Sequence, residues 1–483
     1  MNILFISTEL SPYAKTGGLG DAVASLLKAL QAKGYSIGCV LPLYRSLMDR
    51  FKSMKKNGLL LKIHFGGKIV PVQVIQTQTD TGFPLFLVRN DAFFNRDFIY
   101  GPPGKEYPDN FQRFVFFSKA ALELAQWIKP LPKILHVHDW PTALVPLLVR
   151  HLRLPFYTVL TIHNLSYQGI FESHLFGLTG LPSIYFSLHG LEFFGKINLL
   201  KGGIIFSDWL TTVSPTYALE IQNPGYGCGL EGVIKQRAYK LTGILNGVDY
   251  SLWDPKTDPY IAQNYSLFNL KGKETCKKSL LKTFFLSFDD NPLFCTLSRF
   301  IEQKGFELII PLIRELVFNG CRFIFFGEGS SRIEKLLLDA SSNYPTHVAT
   351  KIGFDEILAH QIIAGADFLL MPSLFEPCGL SHLYGMKYAT LPIARKTGGL
   401  ADTIDGWEEE KHRGTGILFD DPTPAALLKA IKKALHIFQN KSLLSSMRKE
   451  AMKKDFSWQK CLSSYEKIYR RFDISHSLPL YLH

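Results

Sequence analysis

One pattern repeats along the chain: a short apolar run, a polar or glycine-rich turn, and then an amphipathic segment. Alternation of this kind is typical of parallel sheets whose two faces are covered by helices. The strand-like runs form two series: Ile3–Ser7, Ser36–Leu41, Ile134–His138, Tyr157–Ile162, Trp209–Val213 and Leu241–Leu245, then Leu293–Leu297, Arg322–Phe326, Val348–Ile352, Asp367–Met371 and Leu391–Ala394.

Two such series predict two domains rather than one. Each series has five or more strands, and the two series together have too many strands for one ordinary sheet. A length of 483 residues is enough for two large domains. We predict an α/β protein with two Rossmann-like, doubly wound domains facing a cleft. The aperiodic stretch Asn246–Asn269 marks the boundary, giving an N-terminal domain of residues 1–245 and a C-terminal domain of residues 246–457. A C-terminal helix within about 458–483 is expected to join the first domain.

The charge balance favours an acidic ligand, because 54 Lys and Arg exceed 42 Asp and Glu by a net +12. Nucleic acid is not expected as a partner, since the sequence has no RNA-recognition, KH, zinc-finger or basic–aromatic segment. A membrane is not expected either. The longest uncharged stretches, Leu154–Phe171 and Ser173–Leu191, contain proline, histidine and glycine and are poor membrane spans. A phosphorylated substrate remains.

The cysteines and the N-terminus predict a cytoplasmic protein. The seven cysteines are dispersed, odd in number and without C-x-x-C spacing, which argues against a disulfide framework or a zinc module. The N-terminus lacks a basic segment, and Glu9 interrupts its apolar run, so we expect no signal peptide.

A seven-residue motif occurs twice. Lys-Thr-Gly-Gly-Leu-Gly-Asp at Lys15–Asp21 recurs at Lys396–Asp402 with alanine in place of the third glycine. Each copy lies between a strand-like run and a helix-like one, where glycines let backbone N–H groups approach an anion and Lys15 adds a mobile charge. The alternative is a tight structural turn with a solvated lysine. If both copies lie at the carboxyl ends of strands, both would line the cleft.

Two segments of the second series also suit a phosphorylated ligand. Arg299 and Lys304 follow a strand end, where two cations can bind a pyrophosphate; the alternative is a charged surface loop. In the second segment, Glu376 stands in a proline-bounded apolar turn, and the N–H groups of Gly379–Ser381 would be available to phosphate oxygens. The alternative there is a helix cap with a turn glutamate.

Two strand-like runs of the first series end in polar residues. Asp139 follows the run that ends at His138, and His163 follows the run that ends at Ile162. We expect Asp139 and His163 to line a sugar cleft, although His163 can also be a hydrogen-bonded core histidine. A metal site could be suspected from the residue types of His136, His138 and Asp139. No further set of ligands accompanies them in the sequence, so no metal is expected.

Together these motifs resemble bacterial glycogen synthases and plant starch synthases over nearly the whole chain. The matching segments are Lys15–Leu19, His138–Trp140, His163–Gly169, Val213–Tyr217, Leu245–Asp249, Ser298–Arg299, Lys304–Gly305, Glu376–Leu380 and Lys396–Thr403. The resemblance implies the GT-B arrangement and transfer of glucose from ADP-glucose to the non-reducing end of an α-1,4-glucan, with retention of configuration. It implies a nucleotide-sugar donor and a glucan acceptor as partners, and neither a cofactor nor a metal.

The resemblance also implies the site residues. Those implied for the diphosphate are Lys15, Arg299 and Lys304, with the backbone of Gly18, Leu380 and Ser381. Phe354 would lie near the nucleobase, and the donor glucose would contact Glu376, Cys378, Gly379, Asn246 and His163. The acceptor-side candidates are Glu9, Asp139, Trp140 and Asn164. The implied catalytic set is Glu376, His163, Arg299 and Lys304. Many related retaining transferases carry a second glutamate eight positions after the first, where this chain has Tyr384.

Other interpretations stay open at this point. A UDP-glucose-using glucosyltransferase or a glucan phosphorylase would share the architecture. A phosphorylase, however, needs pyridoxal phosphate on a lysine, and no matching lysine motif is present. A non-catalytic glucan-binding protein gives no reason for the cations and glycines at strand ends.

Overall fold

The structure is a computed structural model that describes residues 2–51, 58–102, 104–411 and 413–474. It divides into two units. One unit runs to Gly247 and includes the segment that begins at Trp458, and the other is Val248–Ser457. The boundary predicted from the sequence falls after residue 245, two residues earlier, so Asn246 lies in the first unit rather than in the second, where it was expected.

The first unit contains twelve strands among the described residues. They are β1 (Ile3–Ile6), β2 (Ile37–Pro42), β3 (Leu59–Phe65), β4 (Lys68–Gln78), β5 (Pro84–Arg89), β6 (Ile134–His138), β7 (Tyr157–Ile162), β8 (Ile170–Phe171), β9 (Glu192–Phe193), β10 (Lys196–Asn198), β11 (Trp209–Thr212) and β12 (Leu241–Gly243).

Helices cover this sheet and connect its strands. They are α1 (Gly18–Ala32), α2 (Arg45–Met48), α3 (Asp91–Phe94), α4 (Asn110–Trp127), α5 (Asp139–Thr142), α6 (Leu144–His151), α7 (Leu199–Phe206), α8 (Pro215–Glu220) and α9 (Glu231–Gln236), with 3-10 turns at Ser173–Thr179, Ser183–Tyr185 and Ala238–Lys240.

Nine of these strands form one sheet in the order β12-β11-β7-β6-β1-β2-β5-β4-β3. The part from β12 to β2 is parallel, as predicted, and its central strand β1 is buried along its length; β5, which was not predicted, pairs parallel with β2. Strands β3 and β4 extend the edge in antiparallel pairing and were not predicted. Their burial alternates between exposed and buried residues, because an antiparallel edge can leave one face to water, so they lack the continuous apolar runs of the parallel strands.

The second unit holds a six-stranded parallel sheet in the order β15-β14-β13-β16-β17-β18. Its strands are β13 (Leu293–Leu297), β14 (Arg322–Gly327), β15 (Val348–Ile352), β16 (Phe368–Met371), β17 (Leu391–Arg395) and β18 (Ile417–Phe419). Its helices are α10 (Lys271–Thr283), α11 (Phe306–Ile309), α12 (Ile313–Phe318), α13 (Ser331–Asn343), α14 (Glu356–Gly365), α15 (Ser381–Lys387), α16 (Gly398–Thr403), α17 (Pro424–Gln439) and α18 (Lys441–Lys453), with 3-10 turns at Glu302–Lys304 and Ile310–Leu312.

Apolar side chains are buried on both faces of this second sheet. Phe294 on β13 stacks with Phe323 at 5.4 Å and with Phe368 at 5.3 Å between ring centroids, on one face. The next residues along the same strands, such as Cys295 and Leu369, belong to a separate core on the other face. Since β13 and β16 are neighbours, the loops that follow them lie side by side at the carboxyl edge.

The last described helix, α19 (Trp458–Ile474), belongs to the first unit. Phe472 stacks on Tyr157 with 4.7 Å between ring centroids, and the Tyr469 hydroxyl lies 2.8 Å from Nδ1 of the buried His136. The rest of the predicted C-terminal segment, 475–483, lies outside the described residues. No helix in the described part of the chain is long and apolar enough to cross a membrane.

We expect Tyr469→Phe to lower the free energy of unfolding by roughly 1–2 kcal/mol, because Nδ1 of His136 would lose its partner in the core. Lys467→Ala, at an exposed position of the same helix, should change it by less than about 0.5 kcal/mol. Thermal unfolding of both variants beside the parent protein measures the difference, and equal effects would contradict the assignment.

Candidate active site

In the first unit, the buried carboxylate of Glu9 fixes the glycine-rich loop that carries Lys15. Glu9 accepts hydrogen bonds from the backbone N–H of Thr16 at 2.8 Å and from the Thr16 hydroxyl at 2.9 Å. The Tyr100 hydroxyl donates to the same carboxylate at 2.9 Å. Burial raises the pKa of Glu9, and these hydrogen bonds oppose the rise. Gly18 begins α1 on the exposed side of this loop, and Lys15 lies 3.2 Å from Asp21.

Glu9 was predicted to contact an acceptor. Its side chain is buried, with the residue 3% exposed, and both carboxylate oxygens have protein partners. The structure therefore gives Glu9 a role in holding the loop, and an acceptor contact stays a prediction.

Asp139 lies at the carboxyl end of β6 in a strained backbone conformation, with φ of +53°. Its carboxylate accepts the backbone N–H of His163 at 2.7 Å, which ties the end of β6 to the end of β7. Burial raises the pKa of Asp139 to about 7. The two residues expected to line a sugar site are thus brought into direct contact.

The other two acceptor-side candidates differ in exposure. The Trp140 indole is buried against Phe114 and Phe171, at 5.1 and 5.5 Å between ring centroids. Asn164 is half-buried, and its side-chain oxygen accepts the N–H of Ser166 at 3.1 Å. Acceptor contacts by either residue stay predictions.

The histidines of β6 hydrogen-bond to protein groups. Nδ1 of His138 lies 3.1 Å from Nε2 of His163, and Nε2 of His136 lies 2.6 Å from the Thr161 hydroxyl. Burial lowers the pKa of His136 and of His163 to about 3. Across the described residues, no cluster of three or more His, Cys, Asp or Glu side chains could hold a metal ion.

In the second unit, the structure brings one of the predicted cations, Lys304, next to the predicted glutamate. Nζ of Lys304 lies 2.5 Å from Oε2 of Glu376, and the Ser373 hydroxyl donates to the same oxygen at 3.1 Å. The Glu376 side chain is 5% exposed and that of Lys304 is 15% exposed. Arg299 is exposed in the same loop as Lys304, directly after β13.

Backbone contacts hold these two loops together. The N–H of Leu374 donates to the carbonyl of Gln303 at 2.8 Å, and the Gln303 side chain donates back to the carbonyl of Phe375 at 3.1 Å. Gly305 has φ of +69°, and a Cβ there would overlap the carbonyl oxygen of Pro372. A glycine is required at this close approach.

The second copy of the repeated motif packs against the turn that carries Glu376. Gly398 and Gly399 are buried, and Cβ atoms there would overlap the carbonyl oxygens of Glu376 and Cys378 respectively. The N–H of Gly399 donates to the Glu376 carbonyl at 3.1 Å. The glycines of the second copy are therefore required for this close packing, which was not predicted, and the expectation that this copy lines a cleft stays a prediction.

The remaining donor-side candidates of the second unit surround the start of α15. Cys378 is buried, and the Ser381 hydroxyl donates to the carbonyl of Leu297 at 3.0 Å, linking the helix to the end of β13. Gly379 and Leu380 lie between them. Phe354, which follows β15, is 68% exposed.

Two further positions that the sequence singled out are Asn246 and Tyr384. Asn246 is buried in the first unit after β12. Tyr384 stacks on Trp253 at 4.0 Å and 2°, and Trp253 stacks on His360 at 3.7 Å and 11°. The position that carries a second glutamate in related transferases is thus part of an aromatic stack here.

Sequence reasoning missed several residues that shape the site. Thr16 and Tyr100 share the Glu9 carboxylate, and Ser373 bonds Glu376. His382 is fully buried, its Nε2 lies 2.6 Å from the Thr403 hydroxyl, and burial, with the Lys304 charge, lowers its pKa to about 3. Thr16 stands inside a segment that the motifs identify and Ser373 lies three residues before one, whereas nothing local identifies Tyr100.

Comparison with known proteins agrees with this geometry. A family model described as the starch synthase catalytic domain matches residues 2–236, and one for group 1 glycosyl transferases matches residues 279–454. A glycogen synthase of Thermodesulfovibrio yellowstonii is 41% identical, over 97% of this chain and 97% of its own. The chain belongs to the glycogen synthase family. Another member, from Myxococcus xanthus, is 42% identical over 97% of this chain and 99% of its own.

A solved structure extends the family match to the fold. The catalytic domain of starch synthase IV from Arabidopsis thaliana, bound to ADP and acarbose, is 32% identical with a TM-score of 0.89 over 98% of this chain and 99% of that chain. The predicted GT-B class, with two Rossmann-like α/β domains, is confirmed, as is the predicted glycogen and starch synthase family.

The raised pKa of Asp139 predicts a pH-dependent stability. Between pH 3.8 and about 7 the unfolded chain releases this proton while the folded protein keeps it, so the parent protein loses stability as pH rises through that window. Asp139→Asn removes the titration. Its stability relative to the parent should rise by roughly 2 kcal/mol from pH 4 to pH 8, allowing for partial exposure. Thermal unfolding at both pH values measures this difference, and a constant difference would contradict the shifted pKa.

Proposed function

We propose that this chain is a glycogen synthase that transfers glucose from ADP-glucose to the non-reducing end of an α-1,4-glucan, with retention of configuration. Identity of 41% to a full-length glycogen synthase supports the assignment. The observation that carries it is the buried Glu376–Lys304 pair between the end of β13 and the start of α15, which combines a carboxylate for a sugar with a cation for a diphosphate.

The leaving diphosphate is stabilised by fixed charge and N–H donors. Arg299 and Lys304 follow a parallel strand at its carboxyl end, where ligands of such sheets bind. Lys15 and the backbone of Gly18 on the first unit, with the backbone of Leu380 and Ser381 on the second, complete the predicted set. Negative charge that develops on the departing ADP is greatest in the transition state, so these groups lower the barrier.

The cations make a metal unnecessary in this proposal. They neutralise the negative charge of the diphosphate, which Mg²⁺ neutralises in many nucleotide-dependent transferases. A metal-free reaction therefore belongs to the proposal, as does a cytoplasmic location, which the dispersed cysteines favour.

The donor glucose is bound by Glu376, Cys378, Gly379, Asn246 and His163. Glu376 is charge-paired with Lys304 and accepts from Ser373, so it is fixed for hydrogen bonding to sugar hydroxyls and for stabilising positive charge at C1. In this proposal the His163 side chain orients the glucose, and its backbone carbonyl stabilises the positive charge at C1. Phe354 contacts the adenine.

The configuration at C1 is retained because the acceptor attacks the same face of the glucose ring from which the diphosphate departs. The C1–O bond to the diphosphate breaks, the acceptor 4-hydroxyl oxygen bonds C1, and its proton passes to the departing phosphate. A double displacement needs a carboxylate on the opposite face of the sugar. The position eight after Glu376 is the stacked Tyr384, which provides none. Asp139, Trp140, Asn164 and Glu9 are assigned to the acceptor side.

Glucose incorporation into a glycogen primer tests the function directly. ADP-, UDP- and GDP-glucose are supplied separately, and specificity constants are compared with and without excess EDTA. We expect ADP-glucose to be preferred and EDTA to leave the rate unchanged. Preference for another donor would refute the donor assignment, and loss of activity that a divalent ion restores would refute the metal-free mechanism.

Glu376→Ala should lower kcat by about 100-fold or more while changing ADP affinity only a few-fold, because the lost carboxylate acts in the transition state. Glu302→Ala, an exposed glutamate in the Lys304 loop, is the matched control and should retain parental kinetics. Steady-state kinetics and ADP titration calorimetry measure both effects, and parental activity of Glu376→Ala would exclude its catalytic role.

A further inference from the structure

We propose that His138 is a positioning residue that sets the tautomer of His163. His138 donates its Nδ1–H to Nε2 of His163, so that His163 carries its own proton on Nδ1 and presents an N–H to the bound substrate. The substrate part of this inference rests on the proposed function; the proton assignment does not.

The two rings are placed by neighbouring parallel strands. His138 ends β6 and His163 follows β7 directly, and the register pairs His138 with Thr161. Nδ1 of His138 and Nε2 of His163 are 3.1 Å apart, within hydrogen-bonding distance. One nitrogen must donate and the other accept, because two lone pairs or two N–H groups cannot bond each other.

The other nitrogen of His138 decides the direction. Nε2 of His138 is buried and has no hydrogen-bond partner within the described part of the chain. A proton there would be an orphaned N–H in the core, which is rarer and more costly than an unpaired acceptor. The proton of neutral His138 therefore belongs on Nδ1, pointing at His163. Burial and the neighbouring histidines lower the pKa of His138, which excludes the doubly protonated ring.

Packing prevents the His138 ring from turning over. The ring stacks on Phe5 at 5.6 Å and 18°, and on His136 at 4.5 Å and 29°. His136 is itself fixed at both nitrogens, by Tyr469 of α19 at 2.8 Å and by Thr161 at 2.6 Å. The stack thus supports the ring of His163 from the core of the unit.

The consequence for His163 is a defined donor. Its Nε2 is occupied by His138, and its Nδ1 has no protein partner within residues 2–51, 58–102, 104–411 and 413–474. The residue is half-buried, so this nitrogen is the ring atom available to a sugar hydroxyl. The opposite tautomer would present a lone pair, to which a sugar hydroxyl could only donate, so the polarity of the contact would be reversed.

Nuclear magnetic resonance identifies the tautomers of His138 and His163 without a measurement of enzymatic activity. The full chain is labelled with 15N-histidine, and two-bond 1H–15N correlations report which nitrogen of each ring is protonated; His163→Asn identifies the His163 signals. We expect Nδ1–H on both His138 and His163 at pH 7.5. A proton on Nε2 of His163 would overturn the proposal, whatever the activity of the chain.

Kinetics of two similar-sized variants give a second test. His138→Asn offers an amide N–H near the position of Nδ1 and should keep kcat within about 10-fold of the parent value. Ionised Asp in His138→Asp can only accept, which forces the proton of His163 onto Nε2, so kcat should fall by about 100-fold or more with a smaller change in KM. Equal kcat values in the two variants, if both fold, would contradict the proposal. If His138→Asp does not fold, the NMR measurement of the His163 tautomer in the parent protein tests the proposal instead. A parent chain that transfers no glucose would refute the proposed function alone.

Discussion

The ion pair between Lys304 and Glu376 fixes the geometry of the second unit's site, and glycines make that pair possible. Gly305 lets the Lys304 loop approach Pro372, and Gly398 lets the Glu376 turn rest on the start of α16. A side chain at either glycine would separate the loops and leave a buried carboxylate without its cation, which costs several kcal/mol. The glycines in these segments are therefore needed for the Lys304–Glu376 ion pair to form, whether or not a ligand is bound.

The first unit uses buried carboxylates in a related way. Glu9 holds the loop of Lys15 through the Thr16 N–H, and Asp139 holds the end of β7 through the His163 N–H. Both carboxylates are turned towards the protein, so the groups presented outward are a lysine, backbone N–H groups and an imidazole. Such a set suits an anionic leaving group attached to a neutral sugar, which is the chemistry of a nucleotide-sugar donor.

Much of this arrangement was predictable because parallel strands are continuous apolar runs and their carboxyl ends carry the ligand loops. The runs ending at His138, Ile162, Leu297 and Met371 were found in this way, with the residues that follow them. What escaped prediction depends on contacts between distant residues: the His138–His163 pair spans 25 positions and the Lys304–Glu376 pair spans 72. The packing role of the second copy of the repeated motif escaped prediction for the same reason, since only the fold shows that its glycines contact the Glu376 turn.

Transfer of glucose with retention of configuration at C1 is the central chemical claim. The configuration of the newly formed linkage tests it most directly, and it is read by NMR after transfer of 13C1-labelled glucose from ADP-glucose to a short α-1,4-glucan. An α linkage, with the small H1–H2 coupling of an axial C1–O bond, is the predicted result. A β linkage would mean inversion at C1 and would contradict the mechanism.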